Sequence, residues 1–203
     1  DRTRAAFDEL KQGLRDIEGL SDPTAGQIRI GCPESIAAGI LPPIIQLFAK
    51  QFPRVVVHVE EVTTPTLELP RLHARGLDVV LARMPIDQDF IADDLEIEVL
   101  FEDYLVVAAG VQSRWARRRR IELVELIDET WIMTPPKVWN TMVISRAFEA
   151  RGLAMPKIGV VTYSVQLRTN LLASGDYIAT FPNSVLRGNA NRIGLKILPV
   201  DLP

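Results

Sequence analysis

Cysteine and histidine are nearly absent from this chain: its 203 residues include one cysteine, Cys32, and two histidines, His58 and His73. A single cysteine excludes an intramolecular disulfide, and the expectation that follows is a reducing, cytoplasmic setting. It also argues against a reversible thiol sensor, which commonly uses a second, resolving cysteine. Cys32 therefore reads as a buried thiol at a strand end. Neither histidine is joined by a second histidine or a cysteine pair at ligand spacing, so no metal site is expected. Apolar runs of membrane-spanning length are lacking, and the charged start (Asp1, Arg2, Arg4) is not followed by the apolar stretch of a signal peptide. Neither a membrane span nor export is expected. Gly-rich phosphate loops, a nucleophile elbow and an HExxH pattern are missing, and no cofactor is expected. An excess of positive charge is lacking as well. The formal net charge of −3 does not describe a surface that binds nucleic acid by electrostatics alone.

What is present is an ordinary globular composition, 47% apolar and 24% charged, on a chain long enough for one large domain or two small lobes. Phe7, Leu10, Leu14 and Ile17 follow a 3-4-3 spacing, the seam of a coiled coil. Such a stripe needs either a partner helix or the body of its own domain to cover it. Turn-forming residues from Ser21 to Gly26 end that helix. Next come a strand through Ile28 and Ile30 to Gly31 and a helix that starts at Pro33-Glu34-Ser35, with Ser35 or Glu34 near its N-cap. This helix runs through Phe48, with Pro42 and Pro43 interrupting it. A strand from Val55 to Val62, a helix opened by Thr63 to Thr66 and closed by Gly76, and an apolar strand from Leu77 to Ala82 complete a β-α-β-α-β order. That order implies a parallel sheet. A second region follows in the same style. Its strands are Tyr104–Ala109, Trp131–Met133, Ile158–Val161 and Tyr177–Phe181. Its helices are Leu123–Leu126, Val143–Arg151 and one from the Ser164 cap to Ala173. Two α/β units joined near residues 97–103 would leave a ligand cleft between them.

Four groups of residues, in this order and spacing, resemble the LysR-type transcriptional regulators. The first is Gly26-x-Ile28-Arg29-Ile30-Gly31 with Ile40-Leu41-Pro42 and Phe48-x-x-x-Phe52-Pro53. The second is Arg75-Gly76-Leu77-Asp78 before an apolar strand. The third is Trp131-Ile132 after an acidic turn, and the fourth is Leu172-Ala173-Ser174-Gly175-Asp176-Tyr177-Ile178-Ala179 before Phe181-Pro182. The resemblance implies two Rossmann-like α/β lobes with a ligand cleft, a type 2 periplasmic-binding-protein-like fold. Residues 1–25 would be a linker and dimerisation helix with its turn, 26–98 the first regulatory lobe, 99–199 the second, and 200–203 the start of a return to the first. It places a helix-turn-helix DNA-binding domain ahead of residue 1 and a closing strand and helix of the first lobe after residue 203. It further implies a homo-oligomer, dimer or tetramer, a small-molecule effector, and no enzymatic activity. The alternatives sharing the fold are a solute-binding protein of a transport system and an enzyme; the candidate cleft residues include no histidine and no acid-base pair.

The resemblance assigns effector contact to Ser35 after the first strand and to Thr64 after the second. Helix N-termini at both places favour an anion, although Pro65 removes a donor beside Thr64. Arg83, at the carboxyl end of the third strand, reads either as a bidentate partner for a carboxylate or phosphate, or as a surface ion pair. In the second lobe the family's pocket draws on Thr134, Ser164, Val165, Phe181 and Pro182, with Phe181 open to a core reading. Trp139, in an irregular stretch from Lys137 to Thr141, would stack on a ligand ring or pack on its own lobe. The basic run Arg114, Arg117, Arg118, Arg119 and Arg120 around Trp115 reads as a solvated loop balanced by Glu122 and Glu125, with phosphate contact as the rival.

Overall fold

The computed structural model describes residues 25–62, 71–72, 76–83 and 95–202. The seam of Phe7, Leu10, Leu14 and Ile17, Thr64, His73 and most of the helix expected after Thr63 lie outside the described residues. The chain divides into two compact units, Asp1–Glu96 and Ile97–Pro203.

In the first unit, strand β1 (Ala25–Cys32) leads into helices α1 (Glu34–Gly39) and α2 (Leu41–Gln51), then β2 (Arg54–Glu61) and β3 (Val79–Val80). All pairing is parallel, in the order β2-β1-β3, with Ile28 opposite Val57 and Ile30 opposite Val79. The single helix expected from Pro33 to Phe48 is two helices, parted at Ile40. Pro42 and Pro43 have no N–H to offer a carbonyl one turn back, so helical bonding cannot pass through them. In the first turn of a new helix those donors have no intrahelical acceptor anyway, and α2 begins just there. β3 is shorter than the expected strand from Leu77 to Ala82. Backbone bonds from Asp78 N–H to Arg29 O and from Leu81 N–H to Gly31 O, both 2.9 Å, extend the pairing. β1 ends at Cys32, so residues past Leu81 have no neighbouring strand among the described residues.

The second unit holds β4 (Leu105–Gly110), a 3-10 turn (Leu123–Leu126), β5 (Thr130–Met133), α3 (Trp139–Glu149), β6 (Lys157–Val161), α4 (Val165–Ala173), β7 (Ile178–Pro182), α5 (Asn183–Leu186), a second 3-10 turn (Ala190–Ile193) and β8 (Leu195–Ile197). The strand order is β6-β5-β7-β4-β8. β5 is parallel to β6 and β7, whereas β4 is antiparallel to β7 and β8. The expectation that the parallel style simply repeats therefore fails at β4. The reason is that period-two patterning says which face a side chain takes and nothing about strand direction. Both sheet faces are covered. Trp131, Met133, Ile178, Ala109 and Phe148 form one core cluster, and Ile132, Ala179, Phe181, Ala108 and Leu172 the other. Burial on both faces explains why these strands read as almost unbroken apolar runs. Trp131 anchors the first cluster: its Nε1–H donates to Leu126 O at 2.9 Å, and its ring meets Phe148 edge-on at 5.9 Å.

Helix α3 starts at Trp139, earlier than the expected Val143, so Trp139 is its first residue and not part of an irregular stretch. Asn140 and Thr141 are poor helix formers by propensity, but here both are buried and held by tertiary contacts. Between Pro182 and residue 199 the sequence gives no helix or strand signal. The elements there are only a few residues long and are punctuated by Gly188 and Gly194, too short for periodicity to register.

Candidate functional site

The parallel strands of each unit share one carboxyl edge, and in open α/β sheets that edge binds ligands. In the first unit, Ser35 follows β1 and Arg83 follows β3. Ser35 sits in the first turn of α1 and is half-buried. Pro33 occupies the N-cap position, so Ser35 is not the cap the sequence suggested. Its hydroxyl makes no hydrogen bond among the described residues, which leaves one donor and two acceptor lone pairs uncommitted there. Arg83 is exposed.

On the corresponding edge of the second unit, Thr134 follows β5, Ser164 follows β6, and Phe181 and Pro182 end β7. Thr134 is buried and its hydroxyl is committed. Thr141 Oγ1 donates to Thr134 O at 2.6 Å and therefore has no proton left for the 2.9 Å contact with Thr134 Oγ1. Thr134 must be the donor in that contact, so its oxygen faces any ligand as an acceptor. This pair ties the end of β5 to the first turn of α3.

Ser164 is the N-cap of α4: its Oγ accepts from Leu167 N–H at 3.1 Å. Its own N–H donates to Thr162 Oγ1 at 3.1 Å. The cap uses a lone pair of the hydroxyl and leaves its proton. Val165 packs into the core beside Phe181, whose ring is fully buried. Pro182 is buried and pairs with Leu105 across β4. A residue outside the expected set touches Ser164 and Phe181 from within the fold. Arg168, 3% exposed, places its guanidinium 4.6 Å from the centroid of Phe181. Its Nη1 donates to Thr180 O at 2.8 Å, and its Nε reaches Ser164 O at 3.4 Å. A signal for it exists in the sequence. A cation near the start of a helix opposes the helix dipole, which points to a partner elsewhere in the fold.

Other candidates resolve more simply. Cys32 is free and fully buried. Burial, with Glu61 nearby, pushes its thiol up from the ordinary range, so it is protonated and unreactive at neutral pH. His58 is exposed on β2, and among the described residues no group of three His, Cys, Asp or Glu side chains is arranged to hold a metal. The basic run is a solvated, internally paired loop. Arg118 meets Glu125 at 2.7 Å, Arg120 meets Glu122 at 2.9 Å, and Arg114 pairs with Glu129. Arg114 and Arg118 also lie over the Trp115 ring, at 5.0 and 5.8 Å from its centroid. Trp139 is half-buried at the head of α3. No helix among the described residues is long and apolar enough to cross a membrane.

The chain as a whole has known relatives. Residues 21–203 match the model of the LysR substrate binding domain. The chain is 31% identical over 183 residues to the HTH-type transcriptional regulator TtuA of Agrobacterium vitis, an alignment covering 88% of this chain and 58% of that regulator. The chain thus spans less than two thirds of that relative's length. Among solved structures, the BenM effector binding domain with its effector benzoate is 26% identical, with a TM-score of 0.64 over 87% of this chain and 78% of that one. The effector binding domain of QuiR in complex with shikimate is 20% identical, with a TM-score of 0.65 over 88% and 82%. The fold is therefore the α/β type shared by these effector-binding domains, type 2 periplasmic-binding-protein-like. The chain belongs to the LysR substrate binding domain family.

Proposed function

We propose that this chain is the effector-sensing part of a LysR-type transcriptional regulator and that its effector is a small carboxylate. The observation that carries the reading is the placement of polar groups at the carboxyl ends of parallel strands in each unit: the Ser35 hydroxyl, which makes no hydrogen bond among the described residues, and the exposed Arg83 in one, the Ser164 hydroxyl and the Thr134 oxygen in the other. A carboxylate suits that set, since Ser35, Arg83 and Ser164 donate while Thr134 accepts from a ligand hydroxyl. Benzoate and shikimate, the molecules bound by BenM and QuiR, are both carboxylates. Thr64 belongs to the same proposed set by its position after β2. Phe181 and Pro182, both buried, belong to the proposed set as the apolar support behind that edge.

The chain itself is not an enzyme in this reading. It acts by binding one arrangement of the lobes more tightly than another, which biases the packing of a homo-oligomer and so the DNA contacts of a helix-turn-helix domain elsewhere in the protein. The setting is the bacterial cytoplasm. The alternative of a transport solute-binding protein is disfavoured by the match to the regulator family.

A thermal-shift screen against benzoate, shikimate, other small carboxylates and inorganic anions tests the reading. A ligand at a hundred times its Kd stabilises the folded state by about 2.7 kcal/mol. We expect a carboxylate to raise the melting temperature, and Ser35→Ala to weaken its binding roughly tenfold through loss of a hydrogen bond to a charged group. Stabilisation that survives intact in Ser35→Ala, Arg83→Ala and Ser164→Ala alike would sink it.

A further inference from the structure

We propose that Arg168 is the positioning residue of the second lobe's ligand edge, fixing Ser164, Val165, Phe181 and Pro182 in one arrangement by tying the start of α4 to the end of β7. The inference rests on the proposed effector site for its functional meaning, but its structural content stands apart from it.

Three observations converge on the guanidinium. The ladder between β5 and β7 stops at Ala179, and Arg168 Nη1 donates to the next carbonyl, that of Thr180, at 2.8 Å. On its other side, Nε reaches back to the carbonyl of Ser164, the residue that caps its own helix. Its Cζ lies over the Phe181 ring, 4.6 Å from the centroid, so a rotation of that ring breaks a cation–π contact as well as apolar packing. Each of the two elements that Arg168 joins carries two of the four edge residues.

Burial makes the arginine informative. At 3% exposure its charge is almost wholly withdrawn from water, which is costly. A methionine of similar length would fill the volume without that cost. What methionine does not supply is directed N–H groups in a planar fork, which fix geometry as well as fill space. A fixed edge lowers the ordering cost of binding, so its loss appears as lower affinity even when the contacts themselves survive.

The test uses the whole chain with Arg168→Met and Arg168→Lys. Hydrogen exchange is followed in segments 162–168 and 178–184, with 144–149 on the opposite core cluster as the reference. Affinity for benzoate and shikimate is measured in parallel. We expect Arg168→Met to speed exchange by about tenfold or more in the two edge segments while the reference keeps its protection. We expect Arg168→Lys, which keeps a charge and a single point donor, to fall between Met and wild type. Unchanged exchange, or equal loss in all three segments, overturns the proposal. Selective loss at the edge with wild-type affinity for a bound carboxylate supports the clamp and overturns the placement of the effector on these residues. Should the chain bind neither acid, the exchange result alone decides. Should Arg168→Met fail to fold, the same comparison is made with Arg168→Lys.

Discussion

Gly110, the last residue of β4, shows how closely single atoms constrain this fold. A Cβ there would overlap the backbone carbonyl oxygen of Leu172 in α4, and no rotamer relieves a clash with backbone. Gly110→Ala is expected to lower stability by about 1–3 kcal/mol, read as a shift in the denaturation midpoint. Gly31 is milder, because the Cβ would meet the end of the Leu77 side chain, which can swing away. Cys32 gives a residue-scale prediction of another kind. Its folded-state pKa is raised, so the neutral thiol is favoured by folding. That contribution is fully present below the unfolded thiol's pKa and is lost as pH rises through the folded one. A thiol reagent at pH 8 should leave the native chain unmodified and label it only in denaturant, and Cys32→Ser should flatten the alkaline decline in stability. Rapid labelling of the native chain would contradict the burial.

At the scale of elements, helix ends carry the argument. Ser164 caps α4 through Leu167 N–H. Ser164→Ala is expected to cost about 1 kcal/mol in unfolding measurements without ligand, a cap effect separable from any effect on binding. The 3-10 turn Leu123–Leu126 is closed by a capping box of Glu122 and Glu125. The backbone N–H of Glu122, and then Arg118, hold the Glu125 carboxyl below the usual glutamate range. A lowered carboxylate pKa gives stability that is present above the unfolded value and lost as pH falls through the folded one. Glu125→Gln should therefore lower the neutral-pH midpoint slightly and shallow the acid limb, the two curves converging at low pH; an identical acid limb in the variant would refute this assignment. The capping box was partly legible, since Glu122 and Glu125 stand three apart before an apolar run. Sequence alone saw the Pro42-Pro43 stop as an interruption, and only the structure shows it as the start of a second helix.

On the scale of the whole molecule, the described residues of the two units differ in how much they bury. The second unit carries two core clusters around its sheet, while the described buried apolar residues of the first are Cys32, Leu41, Val62 and Leu77. All three tryptophans, Trp115, Trp131 and Trp139, lie in the second unit. Denaturation followed by tryptophan fluorescence thus reports one unit and circular dichroism both. Without ligand we expect the dichroism transition to begin at lower denaturant than the fluorescence transition. Coincident transitions in the free chain would show the units unfolding as one.

By itself the sequence determined the alternation of strands and helices, the family, and the strand ends on which a ligand site would be built. Those follow from local period, turn chemistry and ordered landmarks such as Arg75-Gly76-Leu77-Asp78, all of which are properties of neighbouring residues. Tertiary structure decided the antiparallel direction of β4, the commitment of the Thr134 hydroxyl to Thr141, and the bridge from Arg168 to Thr180 and Phe181. Each depends on groups far apart in sequence whose mutual approach is set by packing, and neither hydrophobic period nor propensity encodes a strand's direction or the far partner of a hydrogen bond.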